Sequence, residues 1–487
     1  MILAAIALLA APAEAGPRVA VTGGEISGSG AGLGTPFLFR GIPFAAPPLA
    51  DRRWRAPRPV IAWHGVRPDN PDAPACPQND YGWNHADHVH GSEDCLTLDV
   101  ATPALRGKHP VMVWIHGGSN RAGSARGTVT SSIVAGGVVL VAIQYRLGIL
   151  GFLAHRGGAL EAAGHAGNYG LMDQIAALRW VRANIARFGG DPDKITIFGE
   201  SAGSQDVSLM LAAPGARGLF AHAIMESGTP GFGMPSRPLK DALTLGDQAD
   251  ALLASGGSLA ALRTRSVPEL LAADLHLSDT TLRTNDYLWL RTTIDGAVLP
   301  EPLLSLLARA PPIPVIMGSN RAEFGPGPGE LRWDVALRAT FGDRAARARA
   351  LYRLDDPHRH DDPRLGHVEL EYETDRLFRC PSGRLADLLA ARGAPVWRYE
   401  FDIGVDGGRT SHGAEIAYVL GEKRFAANLS LRSYWLNFAR MGNPNTTGLP
   451  AWPRYDRAAQ RYARFVQEGV KTGARLRSPV CSLLAAL

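Results

Sequence analysis

The chain has 487 residues, of which 46% are hydrophobic and 20% charged, with a formal net charge of +5. That composition excludes an intrinsically disordered chain, and the length allows one large α/β unit or about three average domains. The positive charge is nearly all arginine and scattered, with no basic run longer than two residues, so it forms no nucleic-acid-binding stripe. No apolar run beyond residue 16 approaches the roughly 20 residues that span a bilayer, which excludes a polytopic membrane protein.

Residues 1–15 are apolar and end in Ala13-Glu14-Ala15, a small-residue cleavage pattern. They are expected to be a signal peptide, with an atypical n-region because no Lys or Arg precedes Arg18. The alternative is an Ala-rich leader. The signal reading places the protein in the periplasm or outside the cell, without a permanent membrane anchor.

Four cysteines follow: Cys76, Cys95, Cys380 and Cys481. Cys76 and Cys95 enclose a short polar segment, a spacing that suits a disulfide closing an Ω-like loop in an oxidising compartment. His85, His88 and His90 lie in that loop and raise a metal site as the rival. No zinc-ligand spacing accompanies them, so solvated loop histidines are the preferred reading. Cys380 and Cys481 could pair or remain thiols.

Strand-like apolar runs then alternate with helical patterns, which predicts a mainly parallel sheet covered by helices. Val111–Ile115 and Val138–Tyr145 read as buried strands. Ile175, Leu178, Val181, Ile185 and Phe188 share one helical face between 171 and 188. Gly189-Gly190 ends that helix and Asp191-Pro192-Asp193 makes a turn, before a core strand over 194–198.

This strand runs into Gly199-Glu200-Ser201-Ala202-Gly203, and a helix is expected from 205 to 213. A G-x-S-x-G between strand and helix is a nucleophile elbow, which holds a serine hydroxyl above the sheet. The nucleophile needs a base and the base an orienting carboxylate, in the order Ser, acid, His after later strands. Glu323 follows the strand 314–318 and His412 follows the strand 395–403, where this order wants them. His116-Gly117-Gly118-Ser119 ends the strand from Val111, and its amides with that of Ala202 make a candidate three-donor oxyanion hole.

With these motifs the sequence resembles the type-B carboxylesterase/lipase family over about 39–455. The matching blocks are Phe39-Arg40-Gly41-Ile42-Pro43-Phe44-Ala45, Glu93-Asp94-Cys95-Leu96 and Gly167-Asn168-Tyr169-Gly170 with the segment leading to Ser201. Asn443-Pro444-Asn445 and Trp452-Pro453 recur near the end. The resemblance implies one α/β-hydrolase domain over 16–487, with helical insertions around 235–285 and 325–368 forming the substrate gorge. It implies Ser201, Glu323 and His412 as triad, Gly118, Ser119 and Ala202 as oxyanion donors, and a Cys95 that closes the first disulfide loop. Ser227 would support the triad by hydrogen bonding, and the Glu200 charge would stabilise protonated His412. The chain departs from the family at Asn120, where an aromatic is usual, which predicts a more polar pocket wall. It departs again at Phe324, where glycine is common, and is rather short for the family.

The expected activity is two-step hydrolysis of small to medium esters through an acyl-enzyme, without cofactor or metal. A lipase acting on long-chain acylglycerols is the alternative. A cholinesterase-like specificity suggested by Trp83 is less favoured, as is a catalytically silent interaction protein on the same fold. Sequence alone leaves the oligomeric state open.

Overall fold

A computed structural model describes residues 16–30, 34–426 and 429–484. The expected signal peptide at 1–15 lies outside the described residues.

Among the described residues the centre is a ten-stranded sheet. Its parallel core runs through Val139–Ile143, His109–Ile115, Gly190–Glu200, His222–Glu226, Val315–Asn320, Val396–Asp402 and Arg461–Val466. Pairing turns antiparallel only at the margins, where Phe37–Pro43 and Thr97–Thr102 close one side and Gly469–Ala474 the other. Val111, Val113, Ile115, Ile195 and Ile197 point into one buried cluster, while Met112, Trp114 and Phe198 point into another. This is the period of two that strands impose, and both faces are apolar because both are covered. The helix Tyr169–Asn184 covers the first face through Leu171, Ile175, Leu178 and Val181. The helix Leu431–Met441 covers the second through Leu431, Tyr434, Trp435 and Phe438.

Two element boundaries differ from expectation. The strand leading to Ser201 begins at Gly190 rather than 194. Its partners step from His109↔Gly190 to Val111↔Ile195, so the 191–193 turn is absorbed into a bulge. Asp191 still caps that turn, its side chain accepting from the Asp193 amide at 3.0 Å. The helix after Ser201 starts at Ala202, three residues earlier than its apolar pattern suggests.

The expected insertions are helical. Leu239–Leu252, Leu259–Arg263 and Val267–Asp274 form the first. Trp333–Phe341, Ala345–Leu351 and Val368–Thr374 form the second, which continues through a π-helical turn Asp375–Arg379 into Cys380–Ala391. No helix among the described residues is long and apolar enough to cross a membrane.

Both cysteine pairs are bonded, Cys76 to Cys95 and Cys380 to Cys481. The second bond fastens the C-terminal segment to the π-helical turn, where Arg477 also bridges Asp375 at 2.6 Å and Glu371 at 2.5 Å. Replacing both Cys380 and Cys481 by serine should cost about 2–5 kcal/mol of stability. A thermal melt reads this as a lower midpoint, and an unchanged midpoint would show that the ion pairs hold the segment without the bond.

Candidate active site

The elbow exists because the neighbouring strand His109–Ile115 leaves no room for side chains beside it. A Cβ on Gly203 would stand 2.0 Å from the Ile115 carbonyl oxygen, and one on Gly199 would meet the same oxygen at 2.6 Å. Glycine at both positions lets the turn press against the neighbouring strand. Ser201 between them adopts φ 57°, ψ −123°, a conformation rarely taken by residues with a side chain, and its amide donates to the Glu226 carbonyl at 2.9 Å. The helix Ala202–Ala212 follows directly, so the Ala202 amide belongs to its unsatisfied first turn.

The strand carrying His116-Gly117-Gly118-Ser119 pairs with the elbow strand through Ile115↔Gly199, which sets this loop beside Ser201. A Cβ on Gly117 would lie 3.1 Å from the Ser201 Cβ. Gly118 has φ 107° and Ser119 φ 58°, while the Gly118 carbonyl is turned away to accept from the amides of Arg121 and Ala122. Among the described residues no main-chain carbonyl accepts from the amides of Gly118, Ser119 or Ala202. The Trp83 ring covers this loop from outside, 3.1 Å from where a Gly118 Cβ would stand, and is 66% exposed.

Glu323 and His412 meet as the sequence order suggests. His412 Nδ1 lies 2.7 Å from Glu323 Oε2, and Glu323 Oε1 accepts from the Asn320 amide at 2.7 Å. The Thr410 hydroxyl ties the two loops together, accepting from the Ala322 amide at 2.8 Å and donating to its carbonyl at 3.1 Å. Arg379, wholly buried and paired with Asp375 at 2.5 Å, donates to the Arg321 carbonyl from below. His412 Nε2 is 3.1 Å from Glu200 Oε1 but is not aligned for a hydrogen bond with any described residue. Nε2 therefore has no hydrogen-bond partner among the described residues.

Ser227 stands one step further from the histidine than expected. Its hydroxyl donates to Glu415 Oε1 at 3.2 Å, and Asn320 Nδ2 donates to Glu415 Oε2 at 2.6 Å. Sequence reasoning missed Glu415, although it lies three residues after His412. It also missed Glu226, which faces Glu200 across the strand pair and accepts from Trp435 Nε1 at 2.8 Å. Burial pushes the Glu200 carboxyl up to about 7 and, with negative neighbours, Glu415 up to about 8; burial and the charges of Glu415 and Glu200 also push Glu226 well above the usual carboxylate range. Burial lowers the affinity of His412 for a proton, but the carboxylates of Glu200 and Glu323 outweigh it and raise the imidazole to about 9.

The two departures behave differently. Asn120 is only 1% exposed and points inward to Asp206, so it does not make the pocket wall more polar. Phe324 stacks edge-on against His412 with centroids 4.6 Å apart, and Phe378 meets the same ring at 5.2 Å. Phe378 also belongs to a buried cluster with Phe232, Tyr287, Leu290 and Leu377 that packs against Ala202, next to Ser201.

Comparisons with known proteins give the family and the fold. The model of the carboxylesterase family matches residues 15–327 and 333–484. Human cocaine esterase is 35% identical, with 92% of this chain and 86% of that one covered. Rabbit (Oryctolagus cuniculus) liver carboxylesterase 1 is 34% identical, over 86% of this chain and 84% of that one. A solved PNB esterase superposes with TM-score 0.82 at 29% identity, covering 96% of this chain and 99% of its own. A thermophilic PNB esterase does so with TM-score 0.82 at 30% identity and the same coverage. The chain therefore belongs to the carboxylesterase family, and it is a serine ester hydrolase with the α/β-hydrolase fold.

Proposed function

We propose that residues 16–487 form one catalytic domain that cleaves small to medium carboxylic esters with Ser201, His412 and Glu323 as its triad. The 2.7 Å bond from His412 Nδ1 to Glu323 carries this reading, because it leaves Nε2 as the free base on the elbow side. Glu323 orients the ring and sets its tautomer. His412 takes the Ser201 proton as the hydroxyl oxygen attacks the ester carbonyl carbon. The amides of Gly118, Ser119 and Ala202 receive the developing oxyanion. His412 then gives the proton to the departing alkoxide, and water repeats the sequence to release the acid. Glu200 supports the imidazolium that forms in both steps. The residues named supply every proton transfer, so the mechanism calls on no cofactor.

The apolar cluster of Phe232, Tyr287, Leu290 and Phe378 packed against Ala202 supports an apolar wall beside Ser201. The two disulfides and the apolar leader support export to the periplasm or beyond it.

Ser201→Ala should lower turnover of p-nitrophenyl butyrate by at least about 10⁴-fold and abolish labelling by a fluorophosphonate. Retained labelling would remove Ser201 from the role. Across p-nitrophenyl esters, kcat/KM should be highest at short chains and fall roughly tenfold or more by laurate. A rate that instead jumps as a long-chain substrate forms micelles would identify a lipase.

The base must be neutral, so kcat/KM for an uncharged ester should rise with pH and then level. Its midpoint should lie above the ordinary imidazole value of 6.5, because Glu200 and Glu323 raise His412 to about 9. Glu200→Gln removes one of those negative charges and should move the midpoint down by roughly one pH unit. A midpoint that stays in place would show that Glu200 does not act on the histidine.

A further inference from the structure

The proposed oxyanion donors come from two separately folded elements, the loop after the strand His109–Ile115 and the first turn of the helix Ala202–Ala212. Their amides converge on one oxygen only if loop and helix keep a fixed distance. Ser119 and Asn120 are consecutive residues with side chains, yet both have positive φ, 58° and 55°. Such a pair relaxes unless something holds it.

Asn120 is tied at three points. Its Nδ2 donates to Asp206 Oδ1 at 3.1 Å, on the nucleophile helix. Its Oδ1 lies 3.2 Å from the Tyr145 hydroxyl, which also donates to the His116 carbonyl at 2.8 Å, at the start of the same loop. Its carbonyl accepts from the Gly148 amide at 2.7 Å. Asp206 is wholly buried, and its other oxygen accepts from Gln174 Nε2 at 2.5 Å. This carboxyl is held by side-chain amides rather than by a cation, and burial raises it to about 7. A buried acid on neutral amides is costly to keep without a structural task.

We propose that Asn120 is a positioning residue for ester hydrolysis. Through its hydrogen bond to Asp206 it locks the amides of Gly118 and Ser119 at the distance from the Ala202 amide that an oxyanion requires. The proposal rests on the assignment of those three amides as the oxyanion hole. Asn120 touches no substrate atom, and its contribution is felt when negative charge develops on the carbonyl oxygen.

The test compares Asn120→Ala, Asp206→Ala and Asp206→Asn with the wild type, with rates per active site titrated by a fluorophosphonate so that misfolded protein does not count. The probe is an alkyl trifluoromethyl ketone, whose carbonyl carbon is attacked by a serine oxygen to give a tetrahedral adduct bearing an oxyanion. Loss of one donor costs roughly 10²–10³-fold in kcat, and displacement of a donor costs roughly 10²-fold or less. Asn120→Ala and Asp206→Ala are each expected to lower kcat on p-nitrophenyl butyrate by roughly 10–100-fold, with KM within about twofold. Ketone affinity should weaken by the same factor. Combining the two alanines should add little, since they break one bond. Asp206→Asn should stay within about threefold of wild type, because its amide oxygen still accepts from Asn120 and a turned Gln174 amide can accept from its nitrogen.

The proposal is overturned if either alanine variant keeps wild-type kcat and ketone affinity, if KM rises while kcat stands, or if Asp206→Asn is as impaired as Asp206→Ala. Should Asn120→Ala yield no titratable sites, Asp206→Ala decides on the same criteria, and Asn120→Ser replaces the first variant. Failure of the underlying assignment looks different: the wild type itself would not bind the ketone more tightly than the corresponding methyl ketone.

Discussion

The close approach of the Ser201 turn to the neighbouring strand is the constraint on which the site depends. The Ile115 carbonyl fills the space that side chains at 199 and 203 would need. Because of that contact, the strand that ends in the oxyanion loop and the strand that ends in Ser201 stop side by side. The Ser201 turn and the Gly118–Ser119 loop thus stand beside each other through one pairing register, Ile115↔Gly199. A side chain at either glycine would separate them, and no adjustment of the later loops could bring them back. The sheet is stiff because its two faces are filled by separate apolar clusters, so the register holds during turnover.

The second constraint is electrostatic. Glu200, Glu226, Glu323 and Glu415 all lie within the buried zone around His412, and four carboxylates cannot all be ionised there. The arrangement resolves this by unequal support. Glu323 has the imidazole Nδ1 and a main-chain amide as partners. Glu226 has only the Trp435 indole, with Oε2 unpartnered among the described residues, which suits the neutral acid. Glu415 lies between these cases, with Asn320 and Ser227 as donors. Of these groups, Glu200 and Glu323 act most strongly on His412, and both raise its affinity for a proton.

The C-terminal segment is joined to the same site from the other side. The Cys380–Cys481 bond and Arg477 fasten it to the π-helical turn that carries Phe378, and Phe378 packs on the His412 ring. Arg379 in the same turn holds the carbonyl of Arg321, two residues before Glu323. Chain end, acid loop and histidine are thus one packed unit, although they are widely separated in sequence.

The sequence by itself determined the fold class, the elbow at Ser201, and the chain order that brings Glu323 to His412. These were legible because each is written locally: alternating apolar strands, paired glycines flanking a serine, and a charged residue just after a strand. Strand and helix starts near 190 and 202 were misjudged by a few residues, since a bulge and a strained turn obey tertiary register rather than local pattern. Only the tertiary structure decided that Cys380 pairs with Cys481 across 101 positions, and that Ser227 addresses Glu415. It also turned Asn120 inward to Asp206, where the residue type alone suggested a polar pocket wall. The physical reason is common to all three. A side chain's partner is set by which elements pack against it, and packing brings together residues whose spacing along the chain carries no periodic signal.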